Sequence, residues 1–166
     1  MEEISVARRW LMLALSTLGQ SASSAAVNGP VFLIPFWHEH GMSLATAGLL
    51  GALPLVGSTC TLFLWGIVVD RSGERFVLLT SLLGSAIALG LAAAYSSTTT
   101  VLGVALVLAG AAAAGTGSAS GRLVVGWFPP RRRGTAMGIR QMSQPVGVAA
   151  AALLVPVLAS RYGATE

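Results

Sequence analysis

Long apolar runs, separated by short polar stretches, make up almost the whole chain. A transmembrane helix needs about 20 consecutive and mainly apolar residues, and five runs reach that length. The pattern predicts an all-α fold, a polytopic transmembrane helical bundle that forms a single transmembrane domain over residues 1–166. The predicted spans cover approximately residues 10–37, 44–69, 76–95, 101–128 and 135–159.

Composition supports a membrane location for nearly every residue. Apolar residues account for 54% of the chain and charged residues for only 10%. A soluble domain of this length could not bury so much apolar surface in one core, so most side chains must face lipid or each other. Five spans also leave no room for a large domain outside the bilayer. We expect a multi-pass protein of the cell (plasma) membrane, with the lipid bilayer as its first partner.

The basic residues are all arginines, and their positions predict the orientation. Short loops rich in arginine are retained in the cytoplasm. A cytoplasmic N-terminus places seven loop arginines inside and leaves only Arg161 outside. Topology therefore explains the positive net charge, and nucleic acid is excluded as a partner. The seven inner residues are Arg8, Arg9, Arg71, Arg75, Arg131, Arg132 and Arg133.

The N-terminal segment has an alternative interpretation as a cleavable signal peptide. Arg8 and Arg9 are followed by the apolar stretch LMLALSTLG and the small residues SASSAA. Cleavage would leave a mature chain beginning near Ala26. The apolar character resumes through VFLIPF to Trp37, however, so the whole segment is long enough to be a span.

A short polar motif, GIVVDRSGERF at residues 66–76, lies between the second and third predicted spans. Gly66 would permit close helix contact, and Asp70 and Arg71 would lie where the helix leaves the membrane. Gly73 offers the backbone freedom that a very short turn requires. Arg75 would anchor the next span at the headgroups. An ordinary arginine-bearing turn is the alternative, but it does not require the Asp70 and Gly73 spacing.

The spacing G-x-x-x-D-R-x-G-x-R at this loop resembles the signature of the major facilitator superfamily of transporters. The stretch WFPPRRRGTAMGI at residues 127–139 is similar to the turn between spans four and five in many members. The resemblance implies that this chain is a partial N-terminal half of that fold. It also implies that Asp70 and Arg71 contribute to a cytoplasmic contact between two transporter halves that favours the outward-facing state.

Two departures from the family pattern limit what the resemblance implies. The stretch VLGVALVLAG in span four lacks the arginine of the family's second motif, so no proton-coupling arginine is assigned there. Span five carries Ser143-Gln144-Pro145-Val146-Gly147, which matches the glycine-rich signature of antiporters only in part. Export therefore receives only weak support.

Three polar residues of span one recur at a spacing of four, which places them on one helical face. They are Gln20, Ser24 and Asn28. The sequence Asn28-Gly29-Pro30 is also expected to interrupt the helix, because proline lacks a backbone donor. This polar face either lines a substrate pathway or makes hydrogen bonds between packed helices, and both interpretations stay open.

A second polar group lies in span five and consists of Arg140, Gln141 and Gln144. Arg140 is about 9 Å along the helix from Gly134, deep enough to face a cavity and shallow enough to reach the cytoplasm. It is a candidate contact for an anion or another substrate. Arg122, near the cytoplasmic end of span four, is expected to anchor the helix or to pair with a loop carboxylate.

No catalytic or metal-binding arrangement is apparent, so we expect neither an enzyme nor a cofactor. His38, Glu39 and His40 lie on one short outer loop and supply too few fixed ligands for a metal. The pentad GSASG at residues 117–121 has Ala119 where a serine nucleophile would be required.

The predicted function is secondary transport of a small solute by alternating access, with a proton as a candidate coupling ion. The chain would then be the N-terminal part of a truncated transporter, and a missing C-terminal half or another membrane subunit would be its partner. The alternative function is a membrane interaction or regulatory subunit, or a non-functional transporter fragment. The sequence does not indicate the substrate or the direction of transport.

Overall fold

The computed structural model describes residues 5–95 and 98–162. Within these ranges the secondary structure is helical and no strand is found, so the predicted all-α fold is confirmed. The elements are α1 (Val6–Asn28), a 3-10 segment (Gly29–Leu33), α2 (Ile34–Glu39), α3 (Leu44–Ala94), α4 (Thr99–Trp127) and α5 (Pro130–Tyr162).

Helix α1 begins with a side-chain N-cap and ends just before Gly29-Pro30. The hydroxyl of Ser5 accepts a hydrogen bond from the backbone N–H of Arg8 at 3.3 Å, which satisfies one of the free donors at the start of α1. α1 ends at Asn28, and the 3-10 segment begins at Gly29. The interruption expected at Asn28-Gly29-Pro30 is therefore present, and it separates α1 from the short helix α2.

Helix α3 is two arms that fold back on each other at Gly73. This glycine has φ 79° and ψ 165°, a conformation that side-chain-bearing residues rarely adopt. Trp65 and Ser81 would be about 24 Å apart along a straight helix. Instead, their side chains donate to the neighbouring carbonyls of Ala111 (2.7 Å) and Ala112 (2.6 Å) on α4. Both arms, residues 44–72 and 74–94, thus lie against α4.

Close packing between α3 and α4 depends on glycines. A Cβ atom at Gly110 would collide with the backbone of Pro54, and one at Gly57 would lie 2.9 Å from the carbonyl carbon of Val107. A Cβ atom at Gly115 would lie 2.7 Å from the Trp65 ring. Such small residues let helix backbones approach closely, which is how helices associate in lipid, where there is no water to expel.

The exposed surfaces of the bundle are strongly apolar. Of the three most apolar helices, α4 is the most buried. Three helices of the described ranges, α3, α4 and α5, are long and apolar enough to cross a membrane. In the most apolar window of each, 56% of α4 is buried, against 28% of α3 and 17% of α5. The division into five spans, which counts α1 as a span and separates α3 into two, stays a prediction.

Candidate functional site

A cavity of about 380 Å³ lies among α1, the first arm of α3, α4 and α5. Its wall is mixed. α1 and α5 contribute polar side chains, α3 contributes two hydroxyls between leucines, and α4 contributes only small residues. The lining residues are Gln20, Ser23, Ser24, Val27, Asn28, Leu55, Ser58, Thr59, Leu62, Ala113, Ala114, Gly117 and Gln144.

The polar face of α1 both lines this cavity and makes hydrogen bonds. Asn28 donates from its side chain to the carbonyl of Ser24 in the same helix at 2.9 Å. The Ser24 hydroxyl donates to the carbonyl of Gln144 on α5 at 2.9 Å, which joins the two helices. Gln20 accepts from Ser120 of α4 at 3.2 Å. The two interpretations offered for this face are therefore compatible, since the residues that join helices also border the cavity.

Only one of the three polar residues of α5 lines the cavity. Gln144 is exposed and lines the cavity. Arg140 does not line it, but donates to Ser120 at 3.3 Å and to the side-chain oxygen of Gln141 at 2.9 Å. Ser120 in turn donates to Gln20, which lines the cavity. Arg140 is therefore connected to the cavity wall through Ser120.

A cluster of buried hydroxyls, which the sequence analysis did not single out, joins three helical segments. Thr116 of α4 forms hydrogen bonds of 2.7 Å with Ser23 of α1 and with Ser81 of α3. Ser81 and Thr116 are fully buried. A usable signal was present, because Ser81 and Ser85 recur at a spacing of four on an otherwise apolar helix. Hydroxyls at this spacing share one face of the helix, and small polar residues in a membrane helix are typical of a face that packs against another helix.

The motif between the second and third predicted spans is held by an ion pair with α4. Arg122 pairs with Asp70, and its Nε lies 3.3 Å from Oε1 of Glu74. Arg122 is thus the partner for loop carboxylates that the sequence indicated. The Asp70 and Arg122 side chains are 69% and 48% exposed, so the pair contributes position more than stability.

The ion pairs found within residues 5–95 and 98–162 do not involve the two arginines of the motif. Arg71 and Arg75 are exposed. Gly73 forms the turn, and a Cβ atom there would meet nothing within 4 Å, so its backbone conformation alone requires glycine. A Cβ atom at Gly66 would also meet nothing within 4 Å. The close helix contact expected at Gly66 is therefore absent from the described part of the chain.

The two histidines at the end of α2 are held locally. The Nδ1 atom of His38 lies 3.0 Å from the carbonyl oxygen of Met42, and that of His40 lies 2.7 Å from the carbonyl oxygen of Phe36. Among residues 5–95 and 98–162, no group of three or more His, Cys, Asp or Glu side chains could hold a metal ion.

Comparison with known proteins identifies the class of the chain. The family model described as Major Facilitator Superfamily matches residues 10–165. Two proteins named uncharacterized MFS-type transporters, from the Mycobacterium tuberculosis strains CDC 1551 / Oshkosh and ATCC 25618 / H37Rv, are each 48% identical over 160 residues. The match covers 94% of this chain and 35% of each relative, so the chain spans about a third of their length. No solved structure matches significantly. The family match over nearly all its residues, together with the apolar helices, shows that this multi-pass membrane chain belongs to the Major Facilitator Superfamily.

Proposed function

We propose that this chain forms part of a secondary transporter that moves a small solute by alternating access, and that the cavity is one wall of its pathway. The observation that carries the proposal is the polar lining of a cavity of about 380 Å³ among four apolar helical segments. Polar groups are costly in a membrane unless they have hydrogen-bond partners or line a water-filled space. This cavity collects polar side chains from three of those segments.

The open side of the cavity is where the rest of a transporter would complete it. Leu55, Thr59, Leu62 and Gln144 all line the cavity and are all exposed. The curated relatives are about three times as long as the matched region. That additional length would be enough for further helices that close this side, so we expect a C-terminal half or another subunit to be the partner.

The charge of the site favours an anionic solute or an anionic group on the solute. Arg140 is the cationic side chain connected to the cavity, through Ser120 and Gln20. Within the described ranges, no carboxylate is paired with it, since the ion pairs found there belong to Arg122. A cation in an apolar setting is stabilised by an anion, so Arg140 would attract one.

A coupling proton would need a binding group elsewhere in the complete transporter. The side chains that line the cavity are amides, hydroxyls and apolar groups, with no carboxylate or histidine among them. Neither amides nor hydroxyls take up a proton near neutral pH. Proton coupling would therefore use a titratable group outside this cavity, in this chain or in the rest of the transporter.

The ion-paired loop is proposed as the part that controls the conformational state. Asp70 and Arg71, with Gly66, Gly73 and Arg75, would contribute to a cytoplasmic contact between the halves. Arg71 is exposed and available for this contact, whereas Asp70 is held against α4 by Arg122. We assign the N-terminus to the cytoplasm because of the arginine distribution. We also assign the protein to the plasma membrane.

The test is solute uptake by the complete transporter in proteoliposomes, with a panel of small anionic and neutral solutes. N28A should raise the concentration needed for half-maximal uptake about tenfold, because a polar lining group is removed. T80A is the matched control, since Thr80 also bonds a carbonyl of its own helix (2.8 Å to Phe76) but does not line the cavity.

Each outcome separates transport from a structural role. An affinity loss in N28A with normal membrane abundance, and none in T80A, supports the pathway. Equal effects in the two variants, or a loss of abundance in N28A alone, would assign Asn28 to packing. Absence of flux for every solute, with a defined membrane protein copurifying, would favour the regulatory-subunit alternative.

A further inference from the structure

The hydroxyl groups that line the cavity have their protons bound elsewhere in the protein. In α3, the hydroxyls of Ser58 and Thr59 both donate to the carbonyl of Leu55, at 2.9 and 2.8 Å. In α1, the Ser24 hydroxyl donates to the carbonyl of Gln144 at 2.9 Å. A carbonyl oxygen can only accept, so the direction of these bonds is fixed. Each of these hydroxyls keeps lone pairs for a solute, but no proton.

The proton of a fourth lining hydroxyl, that of Ser23, is directed away from the cavity by the buried hydroxyl cluster. Ser81 donates to the carbonyl of Ala112 at 2.6 Å, which uses its only hydroxyl proton. Thr116 must therefore donate to Ser81 in the 2.7 Å bond between them. Ser23 must then donate to Thr116, also at 2.7 Å. The hydrogen bonds thus run in one direction, from the cavity wall into the packed helices, and successive bonds in such a chain strengthen each other.

The side-chain amide of Asn28 also turns an acceptor towards this part of the wall. Its nitrogen donates to the carbonyl of Ser24 at 2.9 Å, which fixes the end of the amide that carries the oxygen. Among the residues that the structure describes, no hydrogen-bond partner of that oxygen is found. We call the five residues the acceptor wall, because apart from one amide proton of Asn28 they offer a solute only lone pairs. They are Ser23, Ser24, Asn28, Ser58 and Thr59.

The donors of the cavity lie on the side of Arg140. Gln20 and Gln144 line the cavity with amide groups, and Gln20 is connected to Arg140 through Ser120. Gln20 precedes Asn28 by eight residues, which is about 12 Å along α1. Gln144 lies one turn after Arg140, and helical side chains tilt towards the N-terminus of their helix. The cavity therefore offers donors on one side and acceptors on the other.

From this arrangement we propose that the solute is dipolar, with an anionic group towards Arg140 and an N–H or O–H donor group towards the acceptor wall. The inference rests on the proposed function, because it describes the solute of the same cavity. An acceptor-only group at this wall would leave the oxygens without donors, which is unfavourable. An ammonium group supplies three N–H donors and a hydroxyl supplies one, so either group satisfies the wall.

The experiment measures binding to the full 166-residue chain in phosphatidylcholine nanodiscs by saturation-transfer NMR. Two pairs of probes differ in their donors but not in their charge. ε-Aminocaproate is compared with its N-trimethyl derivative, and ε-hydroxycaproate with its methyl ether. The donor-bearing member of at least one pair should bind about tenfold more tightly, because a site that bonds a donor rejects an analogue without it. The pair that shows the difference identifies the donor group as ammonium or hydroxyl.

The variant T59V, with T80V as its matched control, separates hydrogen bonding from the added bulk of the methyl groups. Both hydroxyls donate at 2.8 Å to a carbonyl four residues earlier on α3, that of Leu55 or of Phe76, but only Thr59 lines the cavity. The preference for donor-bearing probes should fall about threefold in T59V and stay unchanged in T80V. T59S restores the hydroxyl and should retain the preference. A preference that depends on probe size alone would be the same in all three variants.

The outcomes distinguish this inference from the proposed function. Equal binding within both pairs, tighter binding of the methylated members, or no binding of any of the four probes overturns the dipolar solute. A preference that T59V and T80V leave equally unchanged also overturns it. Uptake by the complete transporter is measured separately. Flux of solutes without donor groups would leave the transport function standing and would contradict only the acceptor wall.

Discussion

The two sides of α4 differ sharply in how they meet their neighbours. Towards α3, glycines at 57, 110 and 115 bring the helices so close that an added Cβ atom would collide with backbone or with a tryptophan ring. Towards α1 and α5, Gly117 borders the cavity, and a Cβ atom there would lie 3.8 Å from the Gln20 side chain. Small residues of α4 thus allow close helix contact on one face and border a cavity on the other.

The difference shows that a row of small residues does not have a single meaning in a membrane helix. Glycine allows close backbone contact where α4 meets α3, but it borders a cavity where α4 faces α1. The residues of the neighbouring helix determine which of the two results. α3 supplies the small residue Gly57 and the backbone at Pro54, next to Gly110, so the two backbones meet closely. α1 supplies the longer side chain of Gln20 opposite Gly117, and both residues border the cavity.

The largest effect is expected from G110A, which should break the packed side. A Cβ atom at this position collides with the backbone at Pro54, which cannot move without shifting α3. The free energy of unfolding should fall by about 3 kcal/mol, as for overpacked cores. Denaturant titration in detergent, followed by the fluorescence of Trp65 and the other tryptophans, would measure it. A loss below about 0.5 kcal/mol would show that the α3 and α4 backbones are not in contact.

A smaller effect is expected from T116V, which keeps the shape of the side chain and removes its hydroxyl. Thr116 forms two hydrogen bonds of 2.7 Å, to Ser23 and Ser81. Hydrogen bonds between membrane helices are each worth somewhat under 1 kcal/mol, so a total loss of about 1 kcal/mol in unfolding free energy is expected. T80V is the control, because the Thr80 hydroxyl bonds only within its own helix, and it should change stability little. Equal losses in T116V and T80V would show that the hydroxyl cluster does not stabilise the contact between helices.

The smallest effect on stability, and one of opposite sign, is expected from G117A. The new Cβ atom meets only the end of Gln20 at an ordinary contact distance, and alanine favours a helix over glycine by about 1 kcal/mol at most. Unfolding free energy should therefore stay constant or rise slightly, in the same assay that shows G110A to be unstable. Marked destabilisation by G117A would mean that the cavity side is packed as tightly as the α3 side.

Sequence reasoning reached the fold class because apolar length and arginine position are local properties. The turn at Gly73 and the break at Asn28-Gly29-Pro30 were also local, since both depend on residues with unusual backbone preferences. The partners of each polar side chain were not local. Ser24 meets Gln144 across 120 positions, and Thr116 meets Ser23 across 93. Spacing places residues on a face of one helix, but only the packing of several helices decides what that face meets.

The fold-back of α3 has a consequence for the order in which the protein assembles. The two arms of α3 and the helix α4 occupy a continuous stretch of chain, 44–127, so they can join as soon as α4 has been synthesised. α1 is made first, yet its hydrogen bond to α5 through Ser24 must wait for residue 144. The polar face of α1 is therefore synthesised long before its partner on α5, and the wall of the cavity is complete only once Gln144 has been added.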